Sequence, residues 1–144
     1  LSAAVLLSQL EQLYEITAKR LSVWRQYYDG LKILEEDGLI RLPVIPGDCQ
    51  HNGHIFYLIC NSQEQRNSLI SHLKENHIQS AFHYIPLHSS PAGRKCSRIG
   101  TSMFVTEEIA SSLVRLPLHT SLVKNQVCAV NSFIKSLDVT TGCT

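Results

Sequence analysis

The first 38 residues carry an apolar stripe at helical spacing, and this stripe constrains the fold more than any other feature of the sequence. Its members recur at steps of three and four, apart from one step of eight that passes over Thr17. The pattern predicts a long helix that can kink at Gly30 and that ends at Gly38. Because the stripe stays apolar over many turns, we expect part of it to pack on something outside these 144 residues. The stripe consists of Leu6, Leu10, Leu13, Leu21, Trp24, Tyr28 and Leu31.

Short strand patterns dominate the chain after the long helix. The strongest is residues 54–60, HIFYLIC, and residues 79–84 read as a further strand. Residues 115–118 form a brief extended piece. Two prolines confine another extended piece, residues 41–46, to a sheet edge or a strand end. Together with the helices between them, these pieces predict an α+β fold with a small, mostly antiparallel sheet covered by helices on one face.

Three further helices are expected, together with one long loop. Ser62 and Gln65 form a capping box for the first helix, and Thr106 is expected to cap the second. Residues 86–105 read as an irregular loop, and a loop of this length inside a compact domain is usually functional or mobile. The last helix carries apolar residues at steps of three and four: Val127, Val130, Ile134 and Leu137.

The composition is that of one soluble globular domain, with 44% hydrophobic residues, 17% charged residues and a net charge of +1. A nearly neutral chain gives no support for a nucleic-acid partner. The apolar opening residues lack a preceding basic segment and are soon interrupted, so we expect neither a signal peptide nor a membrane span. The five cysteines are odd in number and form no CxxC pair, which favours reduced thiols in the cytoplasm.

Seven histidines raise the question of a metal site. Cys49, His51 and His54 could supply three ligands, and His83 with His88 could supply two. Zinc requires three or four ligands that converge with fixed geometry, and these spacings match no standard zinc signature. We therefore expect no metal.

Residues 82–88, FHYIPLH, form a different kind of cluster. Two histidines and a tyrosine stand where a strand is predicted to end, and a proline turn leads from them into the long loop. Binding and catalytic residues are often found at such positions. The alternative is that Tyr84 is a half-buried strand aromatic and that the histidines hydrogen-bond backbone groups. The residue pattern by itself does not separate the two interpretations.

Several blocks of the sequence, in order from about Leu1 to Leu137, resemble the DegT/StrS family of sugar-nucleotide aminotransferases. The resemblance is greatest to the dTDP-4-amino-4,6-dideoxygalactose transaminase branch. The segment HYIPLH is fairly specific to that branch, whereas the helical blocks alone would be weak. The matching blocks are LSAAVLLSQLEQLYEI, RLSVWRQYYDGL, HNGHIFYLI, FHYIPLHSSPAG and LVRLPLH.

The resemblance implies the small C-terminal domain of an aspartate-aminotransferase-type fold. Residues 1–38 would be the helix that links it to the large domain, and residues 39–144 the small domain. Enzymes of the family use pyridoxal phosphate, work as homodimers and move an amino group from glutamate to a keto sugar carried on a nucleotide, here a dTDP-4-keto-6-deoxy sugar. Their role is in cell-surface polysaccharide biosynthesis. The matching positions imply that Tyr84, His83, His88 and His54 face the substrate.

The resemblance also implies that this chain is chemically incomplete. The family's Schiff-base lysine lies in the large domain, upstream of Leu1, and none of the lysines here matches it. We therefore expect no catalytic residue in the chain and no cofactor bound to it alone. The loop 94–100 is more basic than the family pattern. The alternative to an enzyme portion is a non-catalytic module that kept this domain for dimerisation or ligand binding.

Overall fold

A computed structural model describes residues 2–118 and 123–141 of the chain. In this part the elements are α1 (Ser2–Glu11), α2 (Leu13–Glu36), β1 (Ile40–Arg41), β2 (Phe56–Cys60), α3 (Gln63–Glu75), a 3₁₀ turn (Leu87–Ser89), α4 (Pro91–Cys96), α5 (Phe104–Ser112), β3 (Leu113–Leu116) and α6 (Val123–Thr141). The described helices include none that is both long enough and apolar enough to cross a membrane. His119 and Cys143 lie outside the described residues.

The three strands form one antiparallel sheet in the order β1-β2-β3. Ile40 lies opposite Cys60, and Phe56 lies opposite Leu116. β1 is an edge strand that ends two residues before Pro43, as the prolines of this segment predict. The predicted α+β class and the small antiparallel sheet are confirmed.

Alternation along the strands gives the sheet one buried face and one half-buried face. On the buried face the side chains of the sheet join those of α2, α3 and α6 in a single hydrophobic core. Tyr57, Ile59, Leu113 and Arg115 lie on the other face and are half-buried. The helical cover on one face is therefore confirmed. The strand residues of the core are Ile40, Phe56, Leu58, Cys60, Val114 and Leu116.

The predicted long helix is divided in the structure. Gln12 has φ −103° and ψ 10°, which separates α1 from α2. Every residue of α1 is exposed, so no packing in this part of the chain holds it in line with α2. α2, in contrast, ties two strand ends to the core. Trp24 Nε1 donates to the Ile55 carbonyl at 3.2 Å, and Tyr27 Oη donates to the Pro117 carbonyl at 2.7 Å.

The two glycines of the predicted helix serve separate purposes. Gly38 has φ +72° and follows the end of α2, where the amide of Leu39 donates to the Leu34 carbonyl at 2.9 Å. This confirms Gly38 as the helix stop. Helix α2 continues through Gly30, where a Cβ would lie 2.6 Å from Val127 Cγ1. Gly30 therefore permits the close approach of α6.

Three further local predictions are wrong. Within residues 79–84, only Ala81 forms a bridge, with Arg115 on β3; beyond Ala81 the chain leaves the sheet, and Phe82 and Tyr84 are exposed. The loop 86–105 contains a 3₁₀ turn and α4, which begins at Pro91. Thr106 lies inside α5 and does not cap it, since the N-cap position is Met103.

The capping box at the start of α3 is confirmed in its main bond. Ser62 Oγ accepts from the amide of Gln65 at 3.1 Å. The return bond reaches one residue further than predicted: Gln65 Oε1 accepts from the amide of Asn61 at 2.7 Å. The amides of Asn61, just before α3, and of Gln65, in its first turn, are thus both hydrogen-bonded.

Candidate functional site

The predicted site segment begins at an anchored residue. The amide of Arg115 donates to the Ala81 carbonyl at 2.8 Å, and the amide of Ala81 donates back to the Arg115 carbonyl at 3.3 Å. After Ala81 the chain leaves β3, and residues 82–85 are exposed. The segment is therefore held at one end by the sheet.

A compact turn holds the other end of the segment. Ser90 Oγ donates to the Leu87 carbonyl at 2.8 Å and accepts from the amide of Gly93 at 3.0 Å, which caps α4. Ser89 Oγ donates to the Pro86 carbonyl at 3.1 Å. A Cβ at Gly93 would overlap the Leu87 carbonyl oxygen, so only glycine fits this turn without a backbone shift.

Tyr84 and His83 lie between these two anchors. Their ring centroids are 4.6 Å apart in an edge-to-face arrangement. Both residues are exposed, and Tyr84 retains 68% of its accessible surface. Their polar atoms are therefore open to a ligand, although a role in substrate binding stays a prediction.

His88 is placed differently. Its side chain is only 10% exposed, and its Nε2 lies 3.0 Å from Oε1 of Glu107 on α5. Because a carboxylate only accepts, the imidazole N–H donates in this contact. His88 therefore joins the compact turn to α5. Its predicted role towards substrate stays untested.

His54 lies apart from the other site residues. β2 begins two residues after it, at Phe56 rather than at His54 as predicted. His54 is exposed, and its amide donates to Asn52 Oδ1 at 3.1 Å. It lies outside the linings of the two cavities described below, as the described residues define them. Its substrate-facing role stays a prediction.

Two cavities flank the segment 84–86. The first, here called the Arg66 cleft, has a volume of about 510 Å³. The second, here called the apolar groove, has a volume of about 720 Å³. The polar lining of the Arg66 cleft consists of Gln63, Arg66, Asn67, Tyr84, Ser89, Glu107 and Ser111. The apolar groove is lined by His83, Tyr84, Thr106 and the apolar residues Ile85, Pro86, Leu87, Val105, Ile109, Ala110 and Leu113.

The first turn of α3 adds residues that the sequence pattern did not identify. Arg66 lies with Cζ 6.0 Å from the centroid of the Phe82 ring. It also acts on Cys60: burial raises the pKa of the Cys60 thiol to about 12, and the charge of Arg66 opposes part of that rise. The only sequence signal for the first turn of α3 was the capping box. A capping box predicts where the helix begins, but it does not predict that Arg66 lies over Phe82.

His51, one of the residues considered above as a possible metal ligand, is engaged in other contacts. The ring of His51 lies 4.5 Å from the ring of Trp24, and His51 Nδ1 accepts from the amide of Gly53 at 3.3 Å. Across the described residues no group of three or more potential metal ligands converges.

Comparison with known proteins places the chain in a family. The model of the DegT/DnrJ/EryC1/StrS aminotransferase family matches residues 1–135, so the chain belongs to this family. A curated relative is dTDP-3-amino-3,4,6-trideoxy-alpha-D-glucose transaminase of Micromonospora megalomicea subsp. nigra. It is 29% identical over 122 residues, which cover 83% of this chain and 32% of the relative.

Two solved structures are also similar. S. venezuelae DesV, in complex with a ketimine intermediate, is 29% identical with a TM-score of 0.78, over 92% of this chain and 35% of that chain. NtdA of Bacillus subtilis, with bound cofactor PMP, is 27% identical with a TM-score of 0.67, over 83% of this chain and 28% of that chain. The chain thus spans about a third of the length of these proteins.

Proposed function

We propose that this chain is the C-terminal portion of a pyridoxal-phosphate-dependent aminotransferase that moves an amino group from glutamate to a keto sugar carried on a nucleotide. The observation that carries the proposal is the pair His83 and Tyr84, exposed beside two cavities and held between Ala81 and the turn at Gly93. The family match over residues 1–135 gives this pair its chemical context.

The role of Tyr84 and His83 in this proposal is to position the sugar substrate through hydrogen bonds. A phenol can donate a hydrogen bond to a sugar hydroxyl or accept one, and a neutral imidazole can do either at its two nitrogens. Both ends of the segment are anchored by hydrogen bonds, which limits where the backbone can place these two side chains. His88 supports the same segment through Glu107.

The lysines of this chain do not fit the cofactor's attachment site. In transaminases a lysine holds the aldehyde of pyridoxal phosphate and shuttles the proton. Lys19 and Lys32 pair with glutamates one helical turn away and are 63% and 57% exposed. Lys74, Lys95, Lys124 and Lys135 are exposed as well. We therefore assign no step of cofactor chemistry to residues 1–144.

Two positions of the keto group, carbon 3 and carbon 4 of a dTDP sugar, are the candidates for the substrate. The sequence resemblance favours a dTDP-4-keto-6-deoxy sugar, whereas the Micromonospora relative is named for a sugar with its amino group at carbon 3. Assaying purified 3-keto and 4-keto dTDP sugars with the full-length protein and glutamate would decide between them. We propose the 4-keto sugar, and amination of the 3-keto sugar alone would contradict this choice.

The domain division, the oligomeric state and the cellular location are part of the same proposal. We propose that residues 1–38 link the domains, that residues 39–144 form the small domain and that the enzyme is a cytoplasmic homodimer without nucleic-acid or membrane partners. In the part of the chain that the structure describes, all four cysteines are free thiols, which supports a reducing compartment. The oligomeric state is measurable by sedimentation of the full-length protein.

Tyr84→Phe in the full-length protein tests the proposed function. It keeps the ring and removes the hydroxyl, so the loss of a neutral hydrogen bond of about 0.5–1.5 kcal/mol should lower kcat/KM several-fold to roughly tenfold. Melting should be unchanged, because Tyr84 is 68% exposed. Tyr14→Phe is the matched control, since Tyr14 is 90% exposed on α1.

Two outcomes would count against the proposal. Equal kcat/KM in Tyr84→Phe and wild type would remove Tyr84 from the site. Absence of transamination in the wild-type full-length protein, with nucleotide sugar still bound, would instead favour the non-catalytic module.

A further inference from the structure

The first turn of α3 presents an unpaired positive charge to the cleft beside Tyr84. Arg66 lines that cleft. The ion pairs in the described part of the chain join Lys19 to Glu15, Lys32 to Glu36 and His88 to Glu107, and none involves Arg66. The Nε atom of Arg66 is buried and has no hydrogen-bond partner among the described residues. A buried donor without a partner is costly, and no described residue supplies the missing acceptor.

The Arg66 guanidinium lies over an aromatic ring. Its Cζ lies 6.0 Å from the centroid of the Phe82 ring, which is within cation–π range. The planar group is therefore supported on one side by an aromatic ring before any ligand arrives. A guanidinium has five N–H donors and accepts nothing, and its fork matches the paired oxygens of a carboxylate or a phosphate.

Other donors line the same cleft. Gln63 and Asn67 carry side-chain amides on the same turn of α3 as Arg66, and Tyr84 contributes a phenol. The start of α3 also carries the positive end of the helix dipole, which favours an anion nearby. Guanidinium, amide and phenol groups thus converge on one space.

The one acidic residue of the lining, Glu107, has one carboxylate oxygen engaged, and its side chain is 61% exposed. Glu107 accepts a hydrogen bond from His88 at 3.0 Å, on the side of the compact turn. The hydroxyls of Ser89 and Ser111 donate to backbone carbonyls at 3.1 Å and 2.8 Å. Arg66 therefore remains the charged group of the lining without a partner in the described residues.

We propose that the Arg66 cleft binds an oxyanionic group of a substrate, a carboxylate or a phosphate, with Arg66 as its main partner. The cleft volume of about 510 Å³ lies in the range of small-molecule sites. This inference rests on the proposed function, which supplies two sources of such a group: the dicarboxylic amino donor and the diphosphate of the nucleotide sugar. Tyr84 belongs to the same cleft, so the anion would be bound beside the proposed positioning pair.

The experiment uses the full-length protein loaded with cofactor and two probes, glutarate and inorganic pyrophosphate, in calorimetric titrations at constant ionic strength. Arg66→Gln removes the charge and should weaken binding of at least one probe by about tenfold or more. Arg66→Lys keeps the charge without the fork and should lie between wild type and Arg66→Gln. Arg25→Gln, an exposed arginine on α2, is the control for loss of one positive charge.

The two probes separate the sources. Selective loss of pyrophosphate binding assigns the cleft to the nucleotide diphosphate, and selective loss of glutarate binding assigns it to the amino donor. If wild type binds neither probe, or if Arg66→Gln and Arg25→Gln have equal effects, the proposal is overturned. Melting curves check folding, and Arg66→Lys serves as the test variant if Arg66→Gln does not fold.

The proposed function can fail without the cleft failing. A wild-type protein that catalyses no transamination but binds pyrophosphate through Arg66 would contradict the proposed function only. A protein that transaminates normally, with probe binding independent of Arg66, would contradict only the assignment of the cleft.

Discussion

Gly93→Ala should destabilise the turn that supports Tyr84, and the size of the effect follows from the atoms that the new Cβ would meet. A Cβ at Gly93 would overlap the Leu87 carbonyl oxygen and would lie 3.0 Å from Ser90 Oγ. Overpacking of this kind costs about 1–3 kcal/mol, while the helical preference of alanine over glycine returns about 0.5–1 kcal/mol. The obstructing oxygen is backbone and also accepts from Ser90 Oγ at 2.8 Å, so it cannot move without weakening the turn.

Because the obstructing atom belongs to the backbone, the upper half of the overpacking range applies, and the net expectation is a local destabilisation of about 1–2 kcal/mol at residues 86–97. Opening of this segment would then be roughly five to thirty times more frequent, which amide hydrogen exchange measures directly. In the full-length protein kcat/KM should fall as well, because Tyr84 loses its downstream support. Gly100→Ala is the matched control, since a Cβ at Gly100 meets nothing within 4 Å. Identical exchange in the two variants would refute the argument.

Three further results are expected. Burial raises the pKa of the Cys60 thiol from 9.0 to about 12, so the unfolded chain loses the thiol proton at lower pH than the folded chain. The free energy of unfolding should therefore fall from about pH 9 towards pH 12. Cys60→Ala should flatten this decline, as measured by urea denaturation at each pH. Burial also raises the pKa of Tyr27, which acts in the same direction above pH 10. Cys49, Cys96 and Cys128 are exposed and should react with a thiol reagent much faster than Cys60; equal rates would contradict the burial of Cys60. Pyridoxal phosphate and borohydride should label the lysines of the isolated 144-residue chain only in a scattered way, and one stoichiometric adduct on a single lysine in peptide maps would oppose this.

Local signals were sufficient where the local sequence decides the structure. The capping box at Ser62 and the glycine stop at Gly38 depend on contacts within a few residues, and both are found. The strand at residues 56–60 was predictable because it is a short, continuous run of aromatic and aliphatic residues that favour strands. The sheet class followed from the order of these elements.

Predictions failed where a distant contact decides the structure. Residues 82–84 have strand-forming side chains, but pairing stops at Ala81 because the chain leaves β3 there. Gly30 was expected to allow a kink, but nothing in the local sequence could show that its Cα faces Val127, nearly a hundred residues later. Local propensity carries no information about either contact.

In the candidate site, too, residues within one motif were predictable and contacts with distant residues were not. The motif FHYIPLH identified Tyr84 and His83 through family resemblance, and the structure places both in the open. The partner of His88 could not be read from that motif, because Glu107 comes 19 residues later on α5.

The Arg66 cleft depends on three separate segments: the first turn of α3, the exposed residues after Ala81, and α5. Helix α3 contacts α5, and His88 of the 82–90 segment bonds Glu107 on α5, so the two segments meet where Arg66 faces Phe82. No spacing within the sequence encodes this arrangement. An arginine in the first turn of a capped helix is ordinarily a solvated surface residue. The buried, unpartnered Nε is what distinguishes Arg66, and it becomes visible only once the three segments are assembled. A binding group of this kind is therefore recognised from unsatisfied donors in the folded chain, whereas Tyr84 is recognised from its motif.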